Sequence, residues 1–263
     1  MKYIIDTDQK TFSIEKDGVV QNIKLYSDEA FYLLSQQWLK LSWNQKYQYT
    51  FTWMGRPIIQ IPEDMFRFQE VIYSLKPDVI LETGIAHGGS LMFSASLCKA
   101  LGRGRVIGID IDIRPHNRRA IEEHELIPYI TLIEGSSTDP KIIEQVKSSI
   151  PPQAKVIACF DSNHTKEHVL GELQAYHNLI PPGSYMVVTD GFMRELHDVP
   201  RGKECWRWDN PYEAAREFLA HHPEFAVESP IWLFNESCLT QNLTHWPGAW
   251  LKRSCGEDHQ NAL

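Results

Sequence analysis

The chain has 263 residues, 43% hydrophobic and 23% charged, which places it among globular proteins of one large domain, or one domain with appendages, and apart from disordered chains. Its 26 basic and 34 acidic residues leave a net charge of −8, the wrong sign for a nucleic-acid binder, whose surface must displace counterions from phosphates. No apolar run is long enough for a membrane span or a signal peptide, and Cys98, Cys159, Cys205, Cys238 and Cys255 form no CxxC pair, so a cytoplasmic protein with reduced thiols is expected.

Residues 1–26 alternate weakly between apolar and polar, with Lys16-Asp17-Gly18 marking a hairpin turn. Ser27 is a helix N-cap followed by Asp28 and Glu29, and Phe31, Leu34, Trp38 and Leu41 follow at helical spacing. Residues 52–64, with two prolines and a glycine, read as an extended connector that ends in a helix start after Pro62, and helical spacing returns over 64–75. A regular alternation then begins. Apolar runs at Asp78–Thr83, Arg105–Ile111, Tyr129–Glu134, Lys155–Phe160 and Ser184–Thr189 are separated by helical patterns over 90–100, 115–125, 140–149 and 166–178. Val/Ile-rich runs without polar alternation are strands covered on both faces. Right-handed crossovers make them a doubly wound, mostly parallel α/β sheet of Rossmann-like type, with an N-terminal helical extension. After Asp190 come a long polar loop, 191–210, a helix over 211–219 capped by Asn210, and closing strands over Phe225–Phe234 and on to Arg253. The expected organisation is an extension over 1–63, the main domain over 64–255 and a frayed tail over 256–263.

In an open parallel sheet, ligands bind outside the carboxyl ends of the strands. The first such end, Glu82-Thr83-Gly84-Ile85-Ala86-His87-Gly88-Gly89-Ser90, is not the GxGxxG fingerprint of a dinucleotide site. It fits the looser loop that holds an adenosyl group carrying a sulfonium amino acid, and it equally fits an ordinary glycine turn. Asp110, about 25 positions further on, suits ribose hydroxyls, and Ser136 follows the third strand, in Glu134-Gly135-Ser136-Ser137, where an adenine would lie. Asp161 and Asp190 end two adjacent strands, about 4.8 Å apart in a parallel sheet, so they can converge on a hard cation such as Mg²⁺. His164, just beyond Asp161, is placed either as a general base on a substrate hydroxyl or as a plain surface or capping histidine.

At these residues the chain resembles the cephalosporin hydroxylase family, through Trp53–Asp64, Glu82–Ser90, Asp161–Thr165 with His168-Val169-Leu170, and Asp209-Asn210-Pro211, over roughly residues 45–255. The resemblance implies the class I methyltransferase fold, similar in plan to the metal-dependent catechol-type O-methyltransferases. It also implies S-adenosylmethionine as cofactor, Mg²⁺, and O-methylation of antibiotics, sugars or lipid-linked glycans. Carried over, the cofactor would meet Glu82, Gly84, His87, Gly88, Ser90 and Asp110, and the metal would sit on Asp161 and Asp190. The family's fifth strand commonly ends in Glu-Asp; here Thr189 stands in place of the Glu, which weakens or removes the metal. His164 takes the place of the catechol-type lysine base by analogy only, so His164 and Asp161 are the expected catalytic pair.

The leading expectation is a Mg²⁺-assisted methyltransferase acting on a small-molecule or sugar acceptor. The alternatives are a metal-independent methyltransferase using His164, or a cofactor-binding subunit assisting a partner hydroxylase. Trp206 and Trp208 stack on the acceptor or pack their loop onto the core. The aromatic run from Trp38 through Trp43, Tyr47, Tyr49, Phe51 and Trp53 buries itself on its own core or, in a homo-oligomer, on a second copy.

Overall fold

The computed structural model describes residues 1–255; the tail expected to fray, 256–263, lies outside them. The weak alternation at the start folds into an antiparallel meander, β1 (Lys2–Asp6), β2 (Thr11–Lys16) and β3 (Val19–Lys24). Asp17 and Gly18 both take positive φ, 51° and 77°, the twist that a two-residue hairpin needs, so the turn stands where the sequence puts it. Helix α1 (Asp28–Asn44) begins at Ser27, whose side chain accepts from the Ala30 N–H.

The stretch read as an extended connector opens instead with a further hairpin, again around a two-residue turn. Strand β4 (Phe51–Trp53) pairs with β5 (Arg56–Ile58) around Met54 and Gly55, at φ 45° and 82°. Methionine is seldom found at positive φ, and arms of three residues are too short to show alternation. Helix α2 (Pro62–Leu75) follows, with proline in its first turn.

The five apolar runs form parallel strands β6 (Val79–Thr83), β7 (Arg105–Asp110), β8 (Ile130–Glu134), β9 (Val156–Phe160) and β10 (Tyr185–Val188). Between and after them run α3 (Gly89–Leu101), α4 (Pro115–Glu122), α5 (Pro140–Ser149), α6 (Lys166–Tyr176) and α7 (Pro211–His221). Two short strands, β11 (Phe225–Val227) and β12 (Trp250–Arg253), complete a seven-stranded sheet of order β11-β12-β10-β9-β6-β7-β8, with β12 antiparallel to both neighbours. The closing strand expected over Phe225–Phe234 thus ends at Val227; Pro230 lacks the N–H that a ladder requires, and the chain stays irregular until Trp250.

Alternate residues of β6 serve opposite cores. Ile80 packs with Phe68, Ile72, Leu91 and Ala95 of α2 and α3, while Val79 and Leu81 pack with Val146, Leu173 and Phe218 of α5, α6 and α7. Every residue of β6 and β9 is buried, which accounts for their unbroken hydrophobicity.

The chain moves from β6 to β7 and β8 in one direction, then returns to β9 and β10 on the other side of β6. The crossovers therefore diverge between β6 and β9, and a crevice opens at their carboxyl ends. Gly84 stands there at φ 88°, and a Cβ on it would lie 2.1 Å from the Asp161 carbonyl oxygen; only glycine lets the two strand ends close. Over this edge Leu39 of α1 packs with Ile61, Phe192, Met193 and Leu196, flanked by Trp43 and Trp206. The loop expected over 191–210 thus contains two 3₁₀ turns, Gly191–Glu195 and Glu204–Arg207. Trp206 fastens it to the core, while Trp208 is 59% exposed.

Candidate active site

A cavity of about 270 Å³ lies at this crevice. Of the residues singled out in the sequence, Gly84, His87, Ser90, Asp110, Asp161, His164 and Asp190 line it, and Glu82, Gly88 and Ser136 do not. Glu82 is 2% exposed and accepts a hydrogen bond from Ser90 Oγ. Burial pushes its carboxyl up to about 8 against the opposing effect of that hydroxyl, so it joins β6 to α3 from beneath the loop. Gly88 precedes α3 as its cap. Ser136 turns toward Thr138, with 3.1 Å between the hydroxyl oxygens.

The loop is fastened from three sides. Asp110 Oδ2 accepts from the N–H groups of Ile85 (2.8 Å) and Ala86 (3.2 Å), and its Oδ1 accepts from Asp112 N–H at 3.1 Å. Arg56 of β5 donates from Nε and Nη2 to the His87 carbonyl at 2.9 and 2.6 Å, and from Nη2 to Asn117 Oδ1 at 2.9 Å. Asn117 Nδ2 in turn donates to the Ala86 carbonyl at 2.9 Å. A Cβ on Gly89 would lie 2.2 Å from the Pro57 carbonyl oxygen, so this glycine admits β5 rather than a ligand. Arg56 and Asn117 carried no assigned role in the sequence, although Arg56 lies inside a segment that carries the family resemblance.

Beside the loop, ligand atoms of Asp161, His164 and Asp190 lie within 4.8 Å of one another. Asp161 Oδ1 accepts from Thr189 Oγ1 at 2.6 Å and Oδ2 from Gln60 Nε2 at 2.9 Å. Burial, then the nearby charge of Asp190, hold the Asp161 carboxyl well above the usual carboxylate range. A cation between the two would relieve that repulsion, and two anionic oxygens with open positions fit a hard divalent ion. His164 Nε2 is 3.5 Å from Asp190 Oδ2, and its side chain is 33% exposed; at that distance no full hydrogen bond holds the ring. Thr189 is fully buried, and its hydroxyl lies within reach of the Phe160 carbonyl (2.9 Å) as well as Asp161. It orients the carboxylate where a third carboxylate was expected from the family pattern.

Further supports escaped the sequence reading. Buried Glu172 accepts from Ser137 Oγ (2.6 Å) and Ser162 Oγ (2.7 Å), and Tyr176 Oη donates to the Ser137 carbonyl at 2.7 Å, joining the loops after β8 and β9. His245 and Gln48 also line the cavity. The His245 ring stands between Trp43 and Phe192, 5.4 and 5.8 Å away by ring centroids. Its backbone N–H donates to Asp64 Oδ2 at 2.9 Å, and Thr244 Oγ1 donates to Asp64 Oδ1; burial pushes the Asp64 carboxyl up to about 8. A larger cleft of about 1160 Å³, lined in part by Lys40, Asp64, Phe192 and Trp246, includes none of Asp161, His164 and Asp190; those three meet only at the smaller cavity. Among the described residues no helix is long and apolar enough to cross a membrane.

The family model of rhamnosyl O-methyltransferase/CmcI matches residues 45–254. The rhamnosyl O-methyltransferase of Mycobacterium leprae (strain TN) is 32% identical over 181 residues, 66% of this chain and 72% of that protein. That of Mycobacterium bovis (strain BCG / Pasteur 1173P2) is 29% identical over 214 residues, 78% and 83% respectively. Among solved structures, CmcI in its apo form gives a TM-score of 0.55 at 21% identity, and CmcI with Mg and SAM gives 0.51 at 18%, each covering 78% of this chain and 77% of that one. At such identities the likeness is one of fold.

Proposed function

Because the chain belongs to the rhamnosyl O-methyltransferase/CmcI family, the same cephalosporin hydroxylase family that its motifs resemble, and is a methyltransferase, we propose that it moves a methyl group from S-adenosylmethionine to a sugar hydroxyl with the aid of Mg²⁺. The observation that carries this reading is the meeting of Asp161, His164 and Asp190 within 4.8 Å beside the glycine loop at the switch point. The names of the relatives support a sugar acceptor.

In this reading the loop 84–90, braced by Arg56, Asn117 and Asp110, holds the cofactor, and Asp161 and Asp190 hold the metal. When bound, the cofactor supplies a methyl group on a positively charged sulfur, and Mg²⁺ lowers the pKa of a hydroxyl and orients it. Thr189 and Gln60 fix the Asp161 carboxylate, so it needs no reorganisation as the reaction proceeds. His164 takes the hydroxyl proton at Nε2, a step that contributes about 10²–10⁴-fold in comparable enzymes. Asp190, 3.5 Å away, stabilises the imidazolium that results. Most of the remaining rate comes from holding the two reactants in line.

A second reading, base catalysis by His164 without metal, is favoured by one observation: Thr189 donates a hydrogen bond to Asp161 where a third carboxylate would add a ligand. The test is methyl transfer from labelled S-adenosylmethionine to a panel of glycosides, by EDTA-treated protein with and without added Mg²⁺. Activity that returns only with Mg²⁺ supports the first reading, and full activity in EDTA supports the second. Failure of S-adenosylhomocysteine to bind by calorimetry would sink both.

A further inference from the structure

Two deeply buried polar atoms without a hydrogen-bond partner in the protein, Gln48 Oε1 and His245 Nε2, belong to residues that line the same cavity as Asp161 and His164. Gln48 is 4% exposed and His245 1%. Leaving such an atom unsatisfied costs about 1–3 kcal/mol, and folded proteins keep few of them. The other unpartnered buried atoms of the described chain, on Glu63, Thr83, Ser94, Glu172 and Trp246, belong to residues off this cavity. Both placements are built. Gln48 sits on a single 3₁₀ turn, Tyr47–Thr50, directly after α1. His245 is fixed between Trp43 and Phe192, with its main chain held by Asp64.

We infer that Gln48 and His245 form the acceptor subsite, where they hydrogen-bond hydroxyl groups of a polyhydroxylated acceptor next to the hydroxyl that is methylated; this rests on the methyltransferase reading given above. A hydroxyl is the group that answers both atoms. It donates to the Gln48 carbonyl oxygen, or accepts from the amide nitrogen if the amide is turned over, and it can pair with His245 Nε2 in either tautomer. A carboxylate or phosphate has no proton for Gln48 Oε1 in the orientation the amide takes here, whereas a hydroxyl answers either orientation. Trp43, which lines the cavity beside them, offers an apolar surface to the C–H face of a pyranose ring. Neither Gln48 nor His245 belongs to the cofactor loop or the metal-capable set, so together they govern acceptor recognition rather than methyl donation.

The test uses the full chain with Gln48→Met and His245→Leu, each measured three ways. Removing an unsatisfied polar group should leave the melting temperature equal to or above that of the wild type, because an apolar replacement of similar shape relieves the unmet hydrogen bond. S-adenosylhomocysteine affinity should change by less than about threefold, whereas KM for p-nitrophenyl α-L-rhamnopyranoside should rise by about tenfold or more, with kcat moving less. A monodeoxy glycoside that lacks the hydroxyl read by one residue should be impaired with the wild type and no further impaired with the matching variant. A melting temperature lowered by several degrees would mean that the groups are bonded inside the protein, and an unchanged KM that they do not touch the acceptor; either overturns the inference. A wild type that binds S-adenosylhomocysteine yet methylates no pyranoside overturns the polyhydroxyl assignment alone. Absence of S-adenosylhomocysteine binding would instead remove the methyltransferase reading of the site.

Discussion

Replacing Glu82 with glutamine should turn a pH-dependent part of the folding free energy into a constant one. The side chain is 2% exposed, and its carboxyl is raised from 4.5 to about 8 by burial, with Ser90 opposing. Between those two values the native state keeps a proton that the unfolded chain has released. Stability therefore falls as pH rises, by about 1.4 kcal/mol per unit. The contribution is fully present below pH 4.5 and lost as pH climbs through about 8, on the order of 5 kcal/mol in total. The amide of the variant would keep the carbonyl oxygen that accepts from Ser90 and carry no titrating proton. At pH 5 the two proteins should unfold at similar urea concentrations, and at pH 8 the variant should be the more stable by several kcal/mol. Asp64 and Asp161, raised to about 8 and about 7, add their own slopes to both proteins, so the difference between them reports Glu82 together with its coupling to the nearby Asp161 charge. Urea unfolding from pH 5 to 8 measures this directly. Parallel stability profiles would refute the reasoning and mean that Glu82 is solvated or ionised in the native state.

Gly84→Ala should cost at least about 3 kcal/mol, because its Cβ would meet the Asp161 carbonyl oxygen at 2.1 Å and its φ is 88°; denaturant unfolding measures the loss. Arg56→Lys should weaken S-adenosylhomocysteine binding by about tenfold, since one ammonium cannot reproduce the paired contacts of the guanidinium with His87 and Asn117. Calorimetry reads that change, and Arg56→Ala should be no milder. His164→Gln should lower kcat by about 100-fold or more with S-adenosylhomocysteine affinity retained; single-turnover methyl transfer distinguishes a lost base from slow product release.

The parallel sheet was legible because strands buried on both faces must be apolar throughout, as VILET and VIACF are. Strand ends then led to Asp110, Asp161 and Asp190, since topology alone carries the residues after a parallel strand to the ligand edge. What escaped depends on contacts across long stretches of sequence. The conformation of the segment that carries His245 is set partly by Asp64, 181 positions earlier, and nothing local marks it. Gln48 looks like any polar residue of a short turn. The β4–β5 hairpin hid behind Met54 in a turn position that glycine or asparagine usually marks. The loop's glycines fit a ligand loop and an ordinary turn alike in the sequence; that Gly84 and Gly89 make room for the chain itself depends on Asp161 and Pro57, far away along it.

The short run from Arg56 to Gln60 bears on how the activity can be divided or transplanted. A chain beginning at residue 64 would retain every strand of the seven-stranded sheet, the glycine loop and all three metal-capable side chains, and would pass for a complete catalytic unit. It would lack the guanidinium that grips His87, the main chain packed on Gly89 and the amide that steadies Asp161. The glycine loop and the Asp161 carboxylate are thus braced by one stretch of five residues that lies outside the sheet they serve. Any recombination between relatives that separates this stretch from its sheet should give a folded protein with a slack site, so the heritable unit of activity begins before the first parallel strand.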